Sequence, residues 1–239
     1  MSTIIFTAGA KGGTGKSTVA RFVTTYLREH GLNPMLLDMD NESNTLSRFF
    51  PEAQRIEIMK TSSHDVLLER ILSGNNLIVA DLKAGTGRDI LKWWIDVPFD
   101  ELANVNFVCL AAITSSPDSV QSFLNWVGAL QDRVAYVVFK NQKDGDVFPD
   151  YEGSDEAILF RENFNPHHVL IPRLDEEYMV ELERLNLTVD EVLNPPDGKS
   201  SLGKDLGPIL CQLMVRSRLR RFQREIYQQL DTIPELLKP

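Results

Sequence analysis

The sequence has few of the residues that mark secreted, metal-binding or membrane-spanning proteins. Its 239 residues include only two cysteines, Cys109 and Cys211, which lie far apart and form neither a metal-ligand spacing nor a disulfide framework. No apolar run is long enough to span a bilayer, and no basic segment precedes the first apolar run as it does in a signal peptide. These absences predict a protein of the reducing cytoplasm.

A surplus of positive charge is also missing. The chain carries 25 Lys and Arg against 34 Asp and Glu, a net charge of −9, so it has no global attraction to nucleic acid or anionic lipid. Any binding to DNA or to a membrane must therefore come from a local basic patch. With 43% hydrophobic residues, no internal repeat and no linker that divides it, the chain predicts one domain over 1–239 with a large core.

The stretch from Gly9 to Thr18 has the pattern of a phosphate-binding loop. It reads Gly-Ala-Lys-Gly-Gly-Thr-Gly-Lys-Ser-Thr and follows G-x-x-x-x-G-K-[ST], with Gly9 or Ala10 leading in. An apolar strand-like run precedes it and a helix-like run follows it, which is the context that such a loop requires. Glycines allow the backbone to turn tightly and to point its N–H groups at phosphate oxygens.

The residue types in this loop predict individual nucleotide contacts. Lys16 would reach the β- and γ-phosphates, the Ser17 hydroxyl would hold Mg²⁺, and Thr18 would contact the α-phosphate. The predicted nucleotide-binding residues of the loop are Gly12, Gly13, Thr14, Gly15, Lys16, Ser17 and Thr18.

Short, continuous apolar runs alternate with helix-periodic segments along the chain. Continuous runs are typical of strands that are covered on both faces, so the fold class predicted is α/β, with a mostly parallel, doubly wound sheet flanked by helices. Predicted strands are 3–7, 35–37, 77–81, 105–112, 135–139 and 169–171, with a short edge strand over 55–59. Predicted helices are 17–30, 45–50, 64–72 (capped by Ser62 or Ser63), 117–130, 155–164, 175–185 and a long helix over about 206–230, with loops at 140–156 and 194–205.

Carboxylates stand at the ends of two predicted strands, where open α/β sheets keep their chemistry. Asp81 closes an apolar strand as a Walker B carboxylate does, and would hold Mg²⁺ through its water shell. Asp38 and Asp40 follow the second strand. The alternative for all three is that they cap the helices that come next.

The run Lys-Gly-Gly-Thr-Gly-Lys-Ser-Thr at 11–18 resembles the deviant phosphate loop of the ParA/MinD ATPase superfamily. The resemblance covers about 3–172 and implies a P-loop NTPase fold of the SIMIBI type. It implies that Lys11 acts in trans, on the nucleotide that a dimer partner holds, while Lys16 acts in cis. It also implies that Asp40 positions the attacking water and that Asp38 supports Mg²⁺. The alternative for Lys11 is a solvated loop lysine.

The same resemblance extends to the base-binding side and shows some departures. Asn141 stands where the family places an asparagine that recognises adenine, and the alternative is that it only forms a turn. Pro172 matches a proline that borders the base in the family. Asn41-Glu42 replaces a common Pro-Gln after the Asp-x-Asp segment, and Lys83 follows Asp81, adding a third lysine near the phosphates. These departures leave the hydrolysis rate and the switch behaviour open.

A row of arginines marks the predicted C-terminal helix. By their spacing of four, Arg216, Arg220 and Arg224 share one helix face, and Arg221 lies beside them. Such a row could contact DNA phosphates, or could be a solvated face that pairs with neighbouring carboxylates. Four apolar residues of this helix are expected to face the body: Leu213, Leu219, Phe222 and Ile226.

Three functions follow from the resemblance. The first is a ParA-type partition or cargo-positioning ATPase that hydrolyses ATP slowly with Mg²⁺. It would form an ATP-dependent homodimer, bind DNA without sequence preference and work with an adaptor protein in the cytoplasm, on the nucleoid when DNA is bound. The second is a MinD-like membrane-associated ATPase, disfavoured because the segment 231–239 is partly acidic and interrupted by proline. The third is a metabolic P-loop enzyme, such as a biotin-pathway ligase or an iron–sulfur carrier, although neither cysteine has the spacing that a cluster needs.

Operator recognition is not expected of this chain alone. The sequence begins at its first predicted strand, so no helix-turn-helix domain precedes the phosphate loop.

Overall fold

The computed structural model describes residues 1–40, 43–58, 61–83, 87–102, 104–194 and 206–239. Within these residues a seven-stranded sheet is built entirely from parallel pairs. The strands are β1 (Ser2–Ala8), β2 (Met35–Met39), β3 (Gln54–Arg55), β4 (Leu77–Leu82), β5 (Val105–Ile113), β6 (Ala135–Asn141) and β7 (His167–Ile171). They are ordered β3-β2-β4-β1-β5-β6-β7, which confirms the predicted parallel α/β sheet.

Helices cover both faces of this sheet. They are α1 (Lys16–Glu29), α2 (Thr45–Phe49), α3 (Val66–Leu72), α4 (Gly87–Asp96), α5 (Pro117–Leu130), α6 (Pro149–Gly153), α7 (Asp155–Phe164), α8 (Glu176–Leu185), α9 (Val189–Leu193), α10 (Gly207–Leu210), α11 (Leu213–Leu230) and α12 (Pro234–Leu237). Short 3₁₀ turns lie at Thr61–Asp65, Phe99–Leu102 and Gln131–Arg133.

Successive residues of one strand contribute to two different hydrophobic cores. Ile5 belongs to the core that α1, α8 and α11 cover, whereas Ile4 and Phe6 belong to the core beneath α4, α5 and α7. Because side chains alternate across a strand, a strand buried on both faces must be apolar throughout. The continuous apolar runs in the sequence therefore reflect a doubly wound sheet.

The strand order places a crevice at the carboxyl end of β1. This strand lies between β4 and β5, and the chain continues to one side of it through β2 and to the other side from β5 onward. Ligands of open α/β sheets bind at such a reversal of strand order. The phosphate-loop pattern begins directly after Ala8, the last residue of β1, so the fold brings it to this position.

The C-terminal helix differs from the prediction of one helix over 206–230. Residues 195–205 lie outside the described residues, α10 ends at Leu210, and α11 begins at Leu213. The expectation that Leu213 faces the body is wrong, since its side chain is 82% exposed. The helix packs on the body only from Val215 onward, through Leu219, Phe222, Ile226 and Leu230.

Two further local predictions also need correction. The supposed loop over 140–156 contains the end of β6 and the helix α6, whose Tyr151 is fully buried and hydrogen-bonds His168 at 2.8 Å. The helix expected at 64–72 is α3, which starts at Val66 after a 3₁₀ turn, so neither Ser62 nor Ser63 caps it. Burial of an aromatic ring and a tertiary hydrogen bond outweigh local polarity in the first case.

The last residues of the chain pack against the body. Ile233 and Leu237 are buried, and the Thr3 hydroxyl donates to the carbonyl of Lys238 at 2.8 Å. Helix α11, just before them, packs against β7 and α9. In the described part of the chain, no helix combines the length and the apolar character that crossing a bilayer requires.

The packing of α11 makes a stability prediction. Ile226 is fully buried in the core between α11 and the sheet, so Ile226→Ala should lower the free energy of unfolding by roughly 2–5 kcal/mol through lost burial and a residual cavity. Gln228 is exposed on the same helix, so Gln228→Ala should change it by less than about 0.5 kcal/mol. Urea unfolding followed by circular dichroism measures both, and equal effects would show that α11 does not pack as described.

Candidate nucleotide-binding site

The segment between β1 and α1 turns sharply through residues with left-handed backbone. Gly9, Gly13 and Gly15 have φ angles of 114°, 74° and 104°. Residues other than glycine rarely adopt these angles, so the positions of the glycines are set by the course of the backbone. Gly15 is also the N-cap of α1, and no side chain caps that helix end. The first N–H groups of α1 are therefore available to an anionic ligand.

Helix α5 holds the first half of this loop. The Ser122 hydroxyl oxygen accepts the backbone N–H groups of Ala10 at 2.6 Å and Lys11 at 3.0 Å. The Lys11 ammonium lies 3.1 Å from a carboxylate oxygen of Asp118, and both side chains are largely exposed. Lys11 is thus paired within its own chain and is not among the described residues that line the cavity.

Lys16, in contrast, is buried at the base of the loop. Its ammonium donates to the carbonyl of Lys11 at 3.1 Å. Burial lowers the pKa of Lys16, while the nearby carboxylates of Asp81 and Asp40 oppose that shift. A buried ammonium at the base of a phosphate loop attracts the anionic oxygens of a phosphate chain.

Asp38 and Asp81 occupy adjacent positions on β2 and β4. Asp38 is buried, and its two oxygens accept the backbone N–H groups of Asp40 at 3.2 Å and Ser47 at 2.8 Å. The geometry therefore gives Asp38 a positioning function, since it holds the backbone at Asp40 and the start of α2.

The Asp81 carboxylate has one satisfied oxygen and one unsatisfied oxygen. Oδ1 accepts the Thr7 hydroxyl at 3.0 Å, whereas Oδ2 is buried and has no hydrogen-bond partner in the described structure. Burial raises the pKa of Asp81 to about 6, and the Ser17 and Thr7 hydroxyls partly oppose that shift. A buried carboxylate oxygen without a partner calls for a ligand.

A hard divalent cation fits these donors. The unpartnered Asp81 oxygen and the Ser17 hydroxyl are oxygen ligands, which Mg²⁺ prefers, and Mg²⁺ commonly keeps several waters and uses few protein ligands. The described residues contain no cluster of three or more His, Cys, Asp or Glu that could hold a metal ion.

Asp40 lies at the wall of the cavity, above these carboxylates. Its oxygens accept the Ser43 backbone N–H at 3.3 Å and the Ser43 hydroxyl at 2.7 Å. The departures at Asn41 and Glu42 lie outside the described residues. Lys83 directly follows β4 but is not among the described residues that line the cavity, so the structure does not place the suggested third lysine there.

Asn141 connects the base side of the site to the phosphate loop. It is the last residue of β6, and its amide group donates to the Thr14 carbonyl at 3.0 Å. Its side-chain oxygen accepts the Lys143 N–H at 3.1 Å. Asn141 therefore fixes the phosphate loop, which the sequence pattern did not indicate, and also forms the turn that was the alternative for it. Its contact with adenine stays a prediction.

A cavity of about 690 Å³ opens above the loop. It brings together nine of the residues predicted to bind nucleotide or to catalyse: Gly12, Gly13, Gly15, Lys16, Ser17, Thr18, Asp40, Asn141 and Pro172. Thr14, Asp38 and Asp81 are buried side chains outside the lining. Arg21 and Glu183 also line the cavity and were not predicted. Neither residue carries a sequence signal, since Arg21 stands on the polar side of α1, three or four positions from Ser17, Thr18, Thr24 and Thr25.

The predicted DNA-binding arginines lie on α11, away from this cavity. Arg220, Arg221 and Arg224 are exposed, and Arg221 approaches Glu225 at 3.7 Å. Arg216 is only partly exposed, because its guanidinium donates to the Leu193 carbonyl at 3.1 Å. The exposed row is therefore shorter than the spacing alone suggested.

A phosphate loop at the carboxyl edge of a parallel sheet, with buried carboxylates below it, defines a P-loop nucleotide-binding domain. The chain belongs to the family described as the CobQ/CobB/MinD/ParA nucleotide binding domain, whose profile matches residues 5–195. This match confirms the resemblance to the ParA/MinD superfamily, spans the predicted nucleotide-site residues and ends before α11. No curated protein is significantly similar to the chain in sequence.

Several solved structures share the fold. A chain of the MinC:MinD cell division protein complex of Aquifex aeolicus is 16% identical, with a TM-score of 0.54 over 97% of this chain and 96% of that chain. MinD from the same organism is 13% identical, with a TM-score of 0.55 over 97% of both chains. A putative plasmid partition protein from Borrelia burgdorferi B31, bound to AMPPNP, is 14% identical, with a TM-score of 0.52 over 97% of this chain and 99% of that chain.

The loop geometry predicts the effect of a single methyl group. A Cβ at Gly15 would lie 2.6 Å from Asn141 Nδ2, in a backbone with φ of 104°. Gly15→Ala should therefore weaken nucleotide binding roughly tenfold or more, since the left-handed conformation alone costs a non-glycine residue about 1–2 kcal/mol.

Calorimetric titration with MgATP measures this effect. Gly128→Ala is the matched control, because a methyl group there meets nothing within 4 Å, and its affinity should equal that of the parent. Lys16→Ala supplies the reference for lost binding. Parent-like affinity in Gly15→Ala would show that the loop does not hold the nucleotide.

Proposed function

We propose that the chain is an ATPase of the ParA type, which binds MgATP in this cavity, dimerises in the ATP-bound state and partitions DNA or positions cargo. The observation that carries the proposal is one phosphate loop with two lysines of different environment. Lys16 is buried beneath the cavity, and Lys11 is exposed outside it. The similarity in fold to MinD and to a putative plasmid partition protein that binds AMPPNP supports the same reading.

Turnover in this proposal needs positioning and charge neutralisation more than covalent chemistry. Lys16 balances charge at the β- and γ-phosphates, and Asp40, at the cavity wall, orients the attacking water. Bound Mg²⁺, held by Ser17 and Asp81, would neutralise charge on the phosphate oxygens. Lys11 completes the site from the partner chain, which makes hydrolysis slow until two chains meet.

Asp40→Ala should leave MgATP affinity within about threefold of the parent and reduce turnover about 100-fold or more, because a positioned acid–base or water-orienting group contributes that much. Phosphate release under saturating MgATP measures turnover. Asp146→Ala removes an exposed carboxylate outside the cavity lining and should hydrolyse ATP like the parent. If Asp40→Ala turns over at the parent rate, Asp40 does not orient the water.

Lys11→Ala should bind MgATP nearly as the parent does but should not dimerise, because the trans contact is lost. Light scattering in the presence of a slowly hydrolysed ATP analogue measures the molar mass of the protein and so distinguishes monomer from dimer. Asp118→Ala removes the other half of the Lys11 ion pair while retaining the ammonium, so this control should still dimerise. A dimer of normal strength in Lys11→Ala would make Lys11 an ordinary loop lysine.

DNA is the surface that this proposal assigns to α11. Arg220 and Arg224 are exposed one helical turn apart on an otherwise acidic protein. A dimer would present this pair twice, and affinity for DNA rises steeply with the number of phosphate contacts. The membrane alternative is less favoured, because the apolar side chains of Ile233 and Leu237 are already buried in the body.

Arg220→Ala combined with Arg224→Ala should abolish most ATP-dependent binding to duplex DNA. The slope of log affinity against log salt should fall by roughly four per dimer, about one per arginine contact. Lys92→Ala combined with Arg133→Ala removes the same charge from exposed positions on other elements and should leave binding intact. Fluorescence anisotropy with unrelated DNA sequences is the measurement, and equal binding by both double variants would exclude α11 as the DNA surface.

A further inference from the structure

Arg21 is a buried cation at the wall of the nucleotide cavity. It lies on α1, one turn beyond Ser17 and Thr18, and its side chain is 10% exposed. One guanidinium nitrogen, Nη2, lies 2.6 Å from a Glu183 carboxylate oxygen and donates to the Thr18 hydroxyl oxygen at 3.0 Å. The guanidinium carbon lies 3.8 Å above the centre of the Phe49 ring.

Packing alone does not require a charge at this position. Taking a guanidinium out of water is costly, and burial lowers the pKa of Arg21 despite the opposing effect of Glu183. Hydrophobic residues of similar volume often stabilise a fold as well as a buried ion pair does. The ion pair therefore calls for an explanation beyond stability.

The contacts of Arg21 join three walls of the cavity. Thr18 belongs to the phosphate-binding helix α1, Phe49 to α2 that follows Asp40, and Glu183 to α8 that follows Pro172. Arg48 reinforces the last of these connections, since its guanidinium donates to the Glu183 carbonyl at 3.3 Å.

The contact with Arg21 also determines how the Thr18 hydroxyl group can hydrogen-bond to a ligand. A threonine hydroxyl has one hydrogen to donate and two lone pairs that accept. Because the Thr18 oxygen accepts from Arg21, its hydrogen remains available to a ligand, and Thr18 lines the cavity. An anionic phosphate oxygen is the acceptor that such a donor would meet.

We infer that Arg21 is a positioning residue for the nucleotide, which orients the Thr18 hydroxyl toward the α-phosphate. The inference rests on the proposed nucleotide contacts of the loop. It applies to ATP and ADP alike, because both carry an α-phosphate.

The test is a double-mutant cycle of nucleotide affinity. Arg21→Met should raise the Kd for MgATP and for MgADP about tenfold, with an unchanged ratio between them. Thr18→Val should have a similar effect, and Arg21→Met combined with Thr18→Val should be no weaker than Thr18→Val alone. Arg21→Lys, which keeps the charge and a donor, should recover most of the affinity. Additive losses in the cycle would overturn the inference.

A second variant separates this function from folding, since Arg21→Met leaves the half-buried Glu183 carboxylate without its partner. Arg21→Met combined with Glu183→Met removes both charges and should unfold near the parent temperature while still binding nucleotide about tenfold more weakly. Parent-like affinity in this folded variant, together with lost binding in Lys16→Ala, would overturn the inference and leave the proposed function standing. Parent-like affinity in Lys16→Ala would overturn both.

Discussion

The Thr7 hydroxyl makes two buried hydrogen bonds that join β1 to β4 directly below the phosphate loop. It donates to Asp81 Oδ1 at 3.0 Å and accepts the Leu82 N–H at 2.9 Å. This arrangement fixes the Asp81 carboxylate while its second oxygen remains without a hydrogen-bond partner in the described structure. Lys16 and Ser17 are disposed around that carboxylate, so the geometry of the whole site depends on how two neighbouring strands are held together.

The site concentrates charges that are costly to bury. Lys16, Arg21, Asp38 and Asp81 are all buried, two cations and two anions near the carboxyl edge of the sheet. Opposite charges offset part of the desolvation cost, and the Asp38 oxygens are further satisfied by backbone N–H groups. The Asp81 oxygen is the exception, and a divalent cation with its waters would satisfy it. The charges at the carboxyl edge of the sheet would therefore be fully compensated only when a ligand is bound.

Different parts of the chain carry different parts of the function. The family match ends at residue 195, whereas the exposed arginines lie on α11 beyond it. Phosphate binding depends on backbone geometry that the family fold imposes. We therefore expect phosphate binding to be common to members of the family. The arginines that we propose to contact DNA lie outside the matched region, so they can vary without loss of the nucleotide site.

Local sequence was sufficient for the sheet, the phosphate loop and the strand-end carboxylates, because all three depend on short-range rules. Apolar runs report strands buried on two faces, and glycines mark positive φ angles at Gly9, Gly13 and Gly15. The same rules failed where tertiary contacts dominate. Polar residues at 140–156 suggested a loop, but Tyr151 is buried there. The spacing of four placed Arg216 in an exposed row, but its guanidinium donates to the Leu193 carbonyl.

The tertiary structure alone decided which remote side chains meet around the loop. Ser122 holds the backbone of Ala10 and Lys11, Asn141 holds Thr14, and Glu183 reaches Arg21 across 162 positions of sequence. A periodic pattern states which face of a helix is buried, but it does not state which partner covers that face. The partner follows from the order of the strands and the packing of α5 and α8, and these are properties of the assembled sheet.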